Sequence, residues 1–296
     1  MPSHGYSQGF HGGFAMTRPV GLSDRPIWRR LQPIVTIGLV AAVIGIPLWL
    51  VVVTAGKSQG EALSPDLSLP SHWHLLDNMR QVWTDADVPA AFFGSLLIVV
   101  PTVAGVLTFG SMAAWILARR ATRLNAVLYA LGISGTILPP AVVTVVLLLR
   151  QLGLAGTAIG MIGVYMGIYI STVIFFVTGF VRTIPTALEE AAQIDGASPF
   201  TVFRRVVLPL LRPVLATATI LICLYVWNDV FYAFFVIGGR LDTLPLNLFR
   251  VASAGLYLNN WHLIFAYVIL MSLPLVVVFA VAQRKVISGI TGGAVK

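Results

Sequence analysis

This sequence is expected to fold as an all-α membrane protein with six transmembrane helices, for three reasons. Of its 296 residues 57% are hydrophobic and only 10% charged, against roughly 45–50% and 25% in soluble domains; the mean hydropathy is +0.89. Six runs, 31–54, 89–118, 124–149, 155–181, 214–237 and 261–283, are apolar and long enough to cross a hydrocarbon core of about 30 Å, which takes roughly 20 helical residues. The runs are continuously apolar, whereas a barrel strand alternates over about ten residues, so the spans are helices. Basic residues gather on alternate connections, which sets an orientation.

Taken in order, residues 1–30 form a flexible cytoplasmic tail, rich in Gly, Ser, Pro and His without apolar periodicity. His4 and His11 stand isolated there, with no cysteine or carboxylate cluster to complete a metal site. The run 31–54 is too long for the apolar core of a cleaved signal peptide and lies behind the tail, so it is expected to be a retained span. The connection 55–88 carries Glu61, Asp66, Asp77, Asp85 and Asp87 together with Trp73 and Trp83. That composition suits a solvated outer loop with interfacial aromatic anchors, or a contact with an external partner. With both termini inside, the inner segments hold 14 of the 19 Lys and Arg, leaving outside only Lys57, Arg80, Arg150, Arg240 and Arg250. The basic excess, pI about 10.1, therefore belongs to one membrane face and needs no nucleic acid to explain it. Pro139-Pro140 in the third run removes two amide donors and must bend or break that helix, as a gating hinge or as a static kink. Cys223, the sole cysteine, excludes an internal disulfide and a thiolate metal cluster.

The segment 185–213 interrupts this pattern with EEAAQIDGASPFTVFRRVVLPLLRP from Glu189 onward. Thr186-Ala187-Leu188-Glu189 fits a capping box, and Pro185 separates the short helix that follows from the fourth span. Gly196 is placed to end that helix in the left-handed conformation. Ser198-Pro199 supplies an N-cap and first-turn proline for a second short helix, with Arg204 and Arg205 near its carboxyl end. Pro209 and Pro213 bend the chain back into lipid. The small residues Ala191, Ala192 and Gly196 allow close backbone approach, while Glu190, Asp195 and the arginines surround them with charge. Such a surface suits docking into a groove of a soluble protein or lying on anionic lipid.

These residues carry a resemblance. Glu190-Ala191-Ala192, three residues, Gly196, nine residues, then Val206, one residue, and Leu208-Pro209 is similar to the EAA loop of permease subunits of ABC importers, departing only in Val206 for Ile. Trp227-Asn228-Asp229, Thr243-Leu244-Pro245 and the ending GITGGAVK resemble the carbohydrate branch, specifically the second permease of maltose-type importers, over roughly residue 31 to the end. The resemblance implies a type I ABC importer permease fold in which Glu190, Ala191, Ala192, Asp195, Gly196, Val206, Leu208 and Pro209 form a cytoplasmic coupling helix and its flank. It also implies a second permease, two cytoplasmic ATPases, an external solute-binding protein, a sugar substrate and a bacterial or archaeal cytoplasmic membrane. The chain itself has no G-x-x-x-x-G-K-[ST] loop to cradle phosphates. It is therefore expected to be no enzyme and to bind no cofactor, with ATP and Mg on the partner ATPases.

Asp229 is the one acid in the spans. An ionised carboxylate costs at least about 2.5–3.5 kcal/mol at the middle of a span, but sixteen residues above Pro213 place Asp229 about 24 Å up a core of roughly 30 Å, toward the outer side, where partial hydration is expected. Tyr225, Trp227, Asn228 and Asp229 are candidates for the substrate path, since amides and carboxylates bind sugar hydroxyls and aromatic faces bind C–H surfaces. Asp229 serves equally well as a structural cap or a bond to the partner permease. An ion-coupled secondary transporter of small polar solutes is the competing class; it requires intramembrane acids and commonly repeated halves. One such acid, no visible repeat and the loop match favour the importer.

Overall fold

The computed structural model describes residues 26–136, 141–253 and 260–294, and side chains between residues 31 and 280 of these. Regular structure among the described residues is entirely helical, and helices are numbered here in chain order. Met1–Trp49 and Leu50–Lys296 form two units. In the first, α1 (Pro26–Val40) leads into a π turn, Ala41–Gly45, and every side chain from 31 to 49 is exposed. Aliphatic side chains exposed along a whole helix are suited to contact with lipid.

In the second unit, α2 (Ile46–Ala55) ends on buried Val53, Thr54 and Ala55. Its terminal carbonyls need donors, and α3 (Leu75–Asp85) brings one back: Asn78 Nδ2 donates to Ala55 O at 2.8 Å and Lys57 O at 2.9 Å. Between them Lys57 is 1% exposed, its ammonium paired with the Asp66 carboxylate and donating to Ser68 Oγ at 3.1 Å. Glu61 accepts from the amides of Ser58, 3.2 Å, and Ser71, 3.1 Å. The loop is thus tied by ionic and hydrogen bonds rather than by a core.

Helix α4 (Val88–Arg119), 32 residues, is about 48 Å long at 1.5 Å per residue. Asp87, at φ 47°, caps it by accepting from the Ala90 amide at 3.4 Å. Ala91, Ser95, Ile98, Thr102, Val106, Gly110 and Ala114 are buried, a stripe at three- and four-residue spacing that one helix face can bury. Small residues on that stripe let α7 (Ala158–Val181), with buried Tyr165, Val173 and Val177, pack closely against it. Near the start of α4, Ser95 Oγ accepts from the Leu244 amide of α13 (Leu244–Ser253) at 2.9 Å. A Cβ on Gly94 would fall 2.0 Å from Asp242 O, so the approach of these two backbones requires glycine.

By length and apolarity, Leu31–Ala55, Val88–Arg119, Ala158–Val181 and Trp261–Ala280 qualify as unbroken candidate spans, the last within α14 (Trp261–Ala294). The two other expected runs are divided. The third is described as α5 (Arg123–Ser134) and α6 (Val142–Gln151); Pro139 and Pro140 lie outside the described residues, as do His4, His11 and most of the tail. The fifth is divided into α11 (Arg212–Trp227) and α12 (Phe231–Ile237). A hydropathy window averages over the break in the fifth run, because three residues, Asn228, Asp229 and Val230, barely change the mean of twenty.

Candidate functional site

Two places bring the chain's polar residues together. The first is an elbow. Helix α8 (Ala187–Ile194) ends with Gly196 at φ 80°. The Ala197 amide donates to Ala192 O and the Gly196 amide to Gln193 O, both at 3.0 Å, the paired bonds of a Schellman stop. Ser198 Oγ accepts from the Thr201 amide at 3.3 Å and starts α9 (Pro199–Val202). A π turn, Phe203–Val207, and α10 (Leu208–Leu210) continue it, and the axis then bends by 77° into α11. The bend falls where Pro209 and Pro213 flank Leu211, which is fully buried. Val206, Leu208 and Pro209 are half-buried and anchor the second arm, while Glu190, Ala191, Asp195 and Gly196 are exposed and Ala192 is half-buried.

The expected capping box does not form. Thr186 has helical backbone angles and makes no side-chain cap, and Glu189 turns inward instead, 5% exposed. Its Oε1 accepts from Arg119 Nε at 2.8 Å and its Oε2 from Trp115 Nε1 at 2.9 Å. Arg119 also donates to Ile184 O at 2.9 Å. A carboxylate with an opposite charge and a buried indole donor within reach gains more than one reaching back to a solvated amide. The adjacent acids Glu189 and Glu190 point about 100° apart on a helix, so one is buried while its neighbour stays in solvent. Around that exposed face stand Ile194, 86% exposed, with Phe200 and Leu188.

The second place surrounds Asp229, at the break between α11 and α12. Its Oδ2 accepts from Tyr165 Oη at 2.7 Å and from the Ala233 amide at 3.1 Å, so the carboxylate restarts the helix while holding a side chain of α7. Tyr165, Tyr169 and Tyr225 stack in series, ring centres 6.0 and 5.7 Å apart, leading from buried Tyr165 to Tyr225, which is 52% exposed. Asn228 is exposed and closes α11 by donating to Leu224 O at 2.9 Å. Trp227 is set apart: it is 4% exposed, donates to Met271 O at 3.2 Å and meets the Phe92 ring edge-on. Trp227 therefore packs the helices together, at the wall of an apolar cavity lined also by Phe92, Cys223 and Leu273.

Sequence inspection passed over Trp115 and Arg119, and over Tyr165 and Tyr169. The tyrosines are four apart on one helix face, which is visible as spacing; their meeting with an acid 64 residues away is not.

Residues 106–291 match the model of a family described as "Binding-protein-dependent transport system inner membrane component". The melibiose/raffinose/stachyose import permease protein MelC of Bacillus subtilis is 34% identical over 276 residues, 88% of this chain and 96% of that protein. The diacetylchitobiose uptake system permease protein NgcG of Streptomyces coelicolor is 30% identical over 86% of this chain and 84% of its own length. Among solved structures, a chain of a bacterial ABC transporter involved in the import of the acidic polysaccharide alginate matches with a TM-score of 0.74 at 20% identity, covering 88% of this chain and 98% of that one. The fold is thus that of a type I ABC importer permease.

Proposed function

The chain belongs to the binding-protein-dependent transport system inner membrane component family, and from that premise we propose that it is a pathway subunit of an ATP-driven carbohydrate importer. It would pair with a second permease, receive sugar from an external solute-binding protein and be driven by two cytoplasmic ATPases. The relatives named above are sugar permeases, which supports the substrate class.

The elbow is the observation that carries this reading. Helix α8 is stopped at Gly196, the arm that follows it bends by 77° into α11, and Ile194, Leu188 and Phe200 are left uncovered in the elbow that also exposes Glu190 and Asp195. An apolar ridge with a charged rim is the surface a groove on a soluble protein accepts. The buried side of the same elbow is fastened to the spans, so force applied to the ridge reaches them. In this reading Glu190, Ala191, Ala192, Asp195 and Gly196 meet the ATPases, and Val206, Leu208 and Pro209 carry the arm back into lipid.

Sugar would pass the Asp229 cluster. Tyr225 offers an aromatic face to sugar C–H groups, Asn228 an exposed amide, and Asp229 a carboxylate held in place by Tyr165. No step in this chain is chemical: ATP with Mg is hydrolysed by the partner subunits and the permease alternates access.

The test is uptake of labelled melibiose, raffinose, stachyose and diacetylchitobiose into vesicles holding this chain, its co-encoded partner permease and ATPases, with the binding protein outside. We expect uptake that needs internal ATP and persists with an ionophore present. Collapse of uptake by the ionophore at constant ATP would assign the chain to ion-coupled transport instead.

A further inference from the structure

Glu189, Arg119 and Trp115 join two elements that the sequence keeps seventy residues apart, and they do so at the carboxyl end of the 32-residue α4. We propose that this trio is a latch that makes the elbow and α4 move as one body, so that Glu189 and Arg119 are positioning residues for energy coupling; the inference rests on the proposed function above.

The geometry is that of a joint. Both carboxylate oxygens of Glu189 are engaged, Oε1 by the Arg119 guanidinium at 2.7 and 2.8 Å and Oε2 by the Trp115 indole at 2.9 Å. Arg119 also donates to Ile184 O, in the connection between α7 and α8, so one guanidinium ties α4 to α8 and to the segment that leads into it. Trp115 holds the second arm as well: its ring lies 5.6 Å from that of Phe203, which is itself 4% exposed. Both arms of the elbow are therefore gripped from the last turn of α4. A carboxylate bonded at both oxygens and itself buried tolerates little displacement, because any opening leaves its charge without a partner.

What α4 then does with the motion is set by its other end. Its first turns are fixed to the segment before α13 through Ser95 and the close backbone contact at Gly94. The stretch of α4 from Ser95 to Arg119, about 36 Å at 1.5 Å per residue, thus connects the elbow to the segment before α13 without passing through α11, the helix that follows the elbow in sequence. The covalent route through Leu211 bends by 77°; the latch route runs along one unbroken helix, with Pro101 inside it.

The experiment uses the full complex in lipid nanodiscs with Cys223→Ser and spin labels on Ala121 and Ala187, both exposed positions flanking the joint. With Glu189 present, one narrow label distance is expected that is the same without nucleotide and with Mg·ATP plus vanadate. Glu189→Gln keeps the shape and removes the charge; it should broaden the distribution and make it shift on adding nucleotide. The ratio of hydrolysis stimulated by the binding protein to basal hydrolysis should fall about tenfold, in the range of ordinary coupling free energies. Trp115→Phe, which keeps an aromatic ring and removes the donor, should do the same to a smaller degree, and Arg119→Glu with Glu189→Arg should narrow the distribution only in part, since it remakes the ion pair but leaves the Trp115 indole without an acceptor and Ile184 O without a donor. The latch is overturned if Glu189→Gln leaves both the distance and the stimulation ratio unchanged, or if it lowers only the Tm of the complex. Failure of the unmutated complex to retain the ATPases would overturn the proposed function of the elbow and the inference with it.

Discussion

Gly196 is the residue on which the elbow's shape turns. A Cβ there would meet nothing within 4 Å, so space is not what selects glycine; φ of 80° is. A β-branched side chain in that conformation is strained by roughly 1–2 kcal/mol or more. Gly196→Val should therefore leave the chain inserted and paired with its partner permease while lowering ATP-driven uptake in vesicles about tenfold, and Gly196→Asn, which tolerates the left-handed region, should retain most of it. Equal uptake by the Val variant would show that the turn's geometry is not used. Asp229 makes a second contrast. Its carboxylate holds Tyr165 and caps the Ala233 amide, bonds that the carbonyl of an amide can keep. Asp229→Asn should thus preserve assembly, and if the carboxylate meets sugar its loss should raise the half-saturating sugar concentration about tenfold, the value of one charged hydrogen bond. Dissociation of the partner permease in that variant would identify Asp229 as a structural bond instead.

At the scale of an element, the 56–74 loop shows how a segment with little apolar content is held. Lys57 is buried and its ammonium depends on Asp66, which is exposed. Asp66→Ala strands that charge, whereas Lys57→Met together with Asp66→Ala removes it. Hydrogen exchange across the loop should rise in the single variant and return toward the original in the double one. The two carboxyls also set an acid limit. Glu61 falls from an ordinary 4.5 to about 2, through hydrogen bonds from Ser71 first and then Ser58. Asp66 falls from 3.8 to about 2, through Lys57 first and then Ser68. Both hold protons less tightly in the folded loop than in the unfolded one. Their contribution is therefore complete above about pH 4.5 and is lost as pH falls toward 2. Exchange in the loop should be flat from pH 8 to 5, after correction for intrinsic rates, and increase below pH 4.5; a loss of protection between pH 8 and 6 would assign the loop's stability to other groups.

For the whole molecule, the basic asymmetry makes a topological prediction. A cysteine at Ser64, on the loop, should react in intact cells with a membrane-impermeant thiol reagent, and one at Thr122 should react only after permeabilisation, each in a Cys223→Ser background; both positions are exposed. Labelling of Thr122→Cys from outside would invert the orientation. The many exposed aliphatic and aromatic side chains, among them Phe93, Val143 and Ile159, suit contact with lipid in either orientation, so the labelling alone decides it.

Much of this was legible without coordinates. Composition and run length determine a helical membrane protein, because an apolar backbone in lipid has few ways to satisfy its own polar groups. The elbow was legible too, since glycine and proline act on the backbone where they stand: Gly196 stops α8 and Ser198-Pro199 starts α9. What remained for the tertiary structure were choices between partners. Thr186 and Glu189 satisfy a local capping rule, yet Glu189 bonds Arg119 and Trp115. Trp227 and Tyr225 are equally plausible aromatics two residues apart, yet one is buried against Phe92 and the other is half in the open. Asp229 meets Tyr165 only because α7 and α11 pack side by side. Local sequence determines which bonds a residue can make; which bond it does make depends on the groups that a distant segment carries into reach, and that is decided when the helices pack.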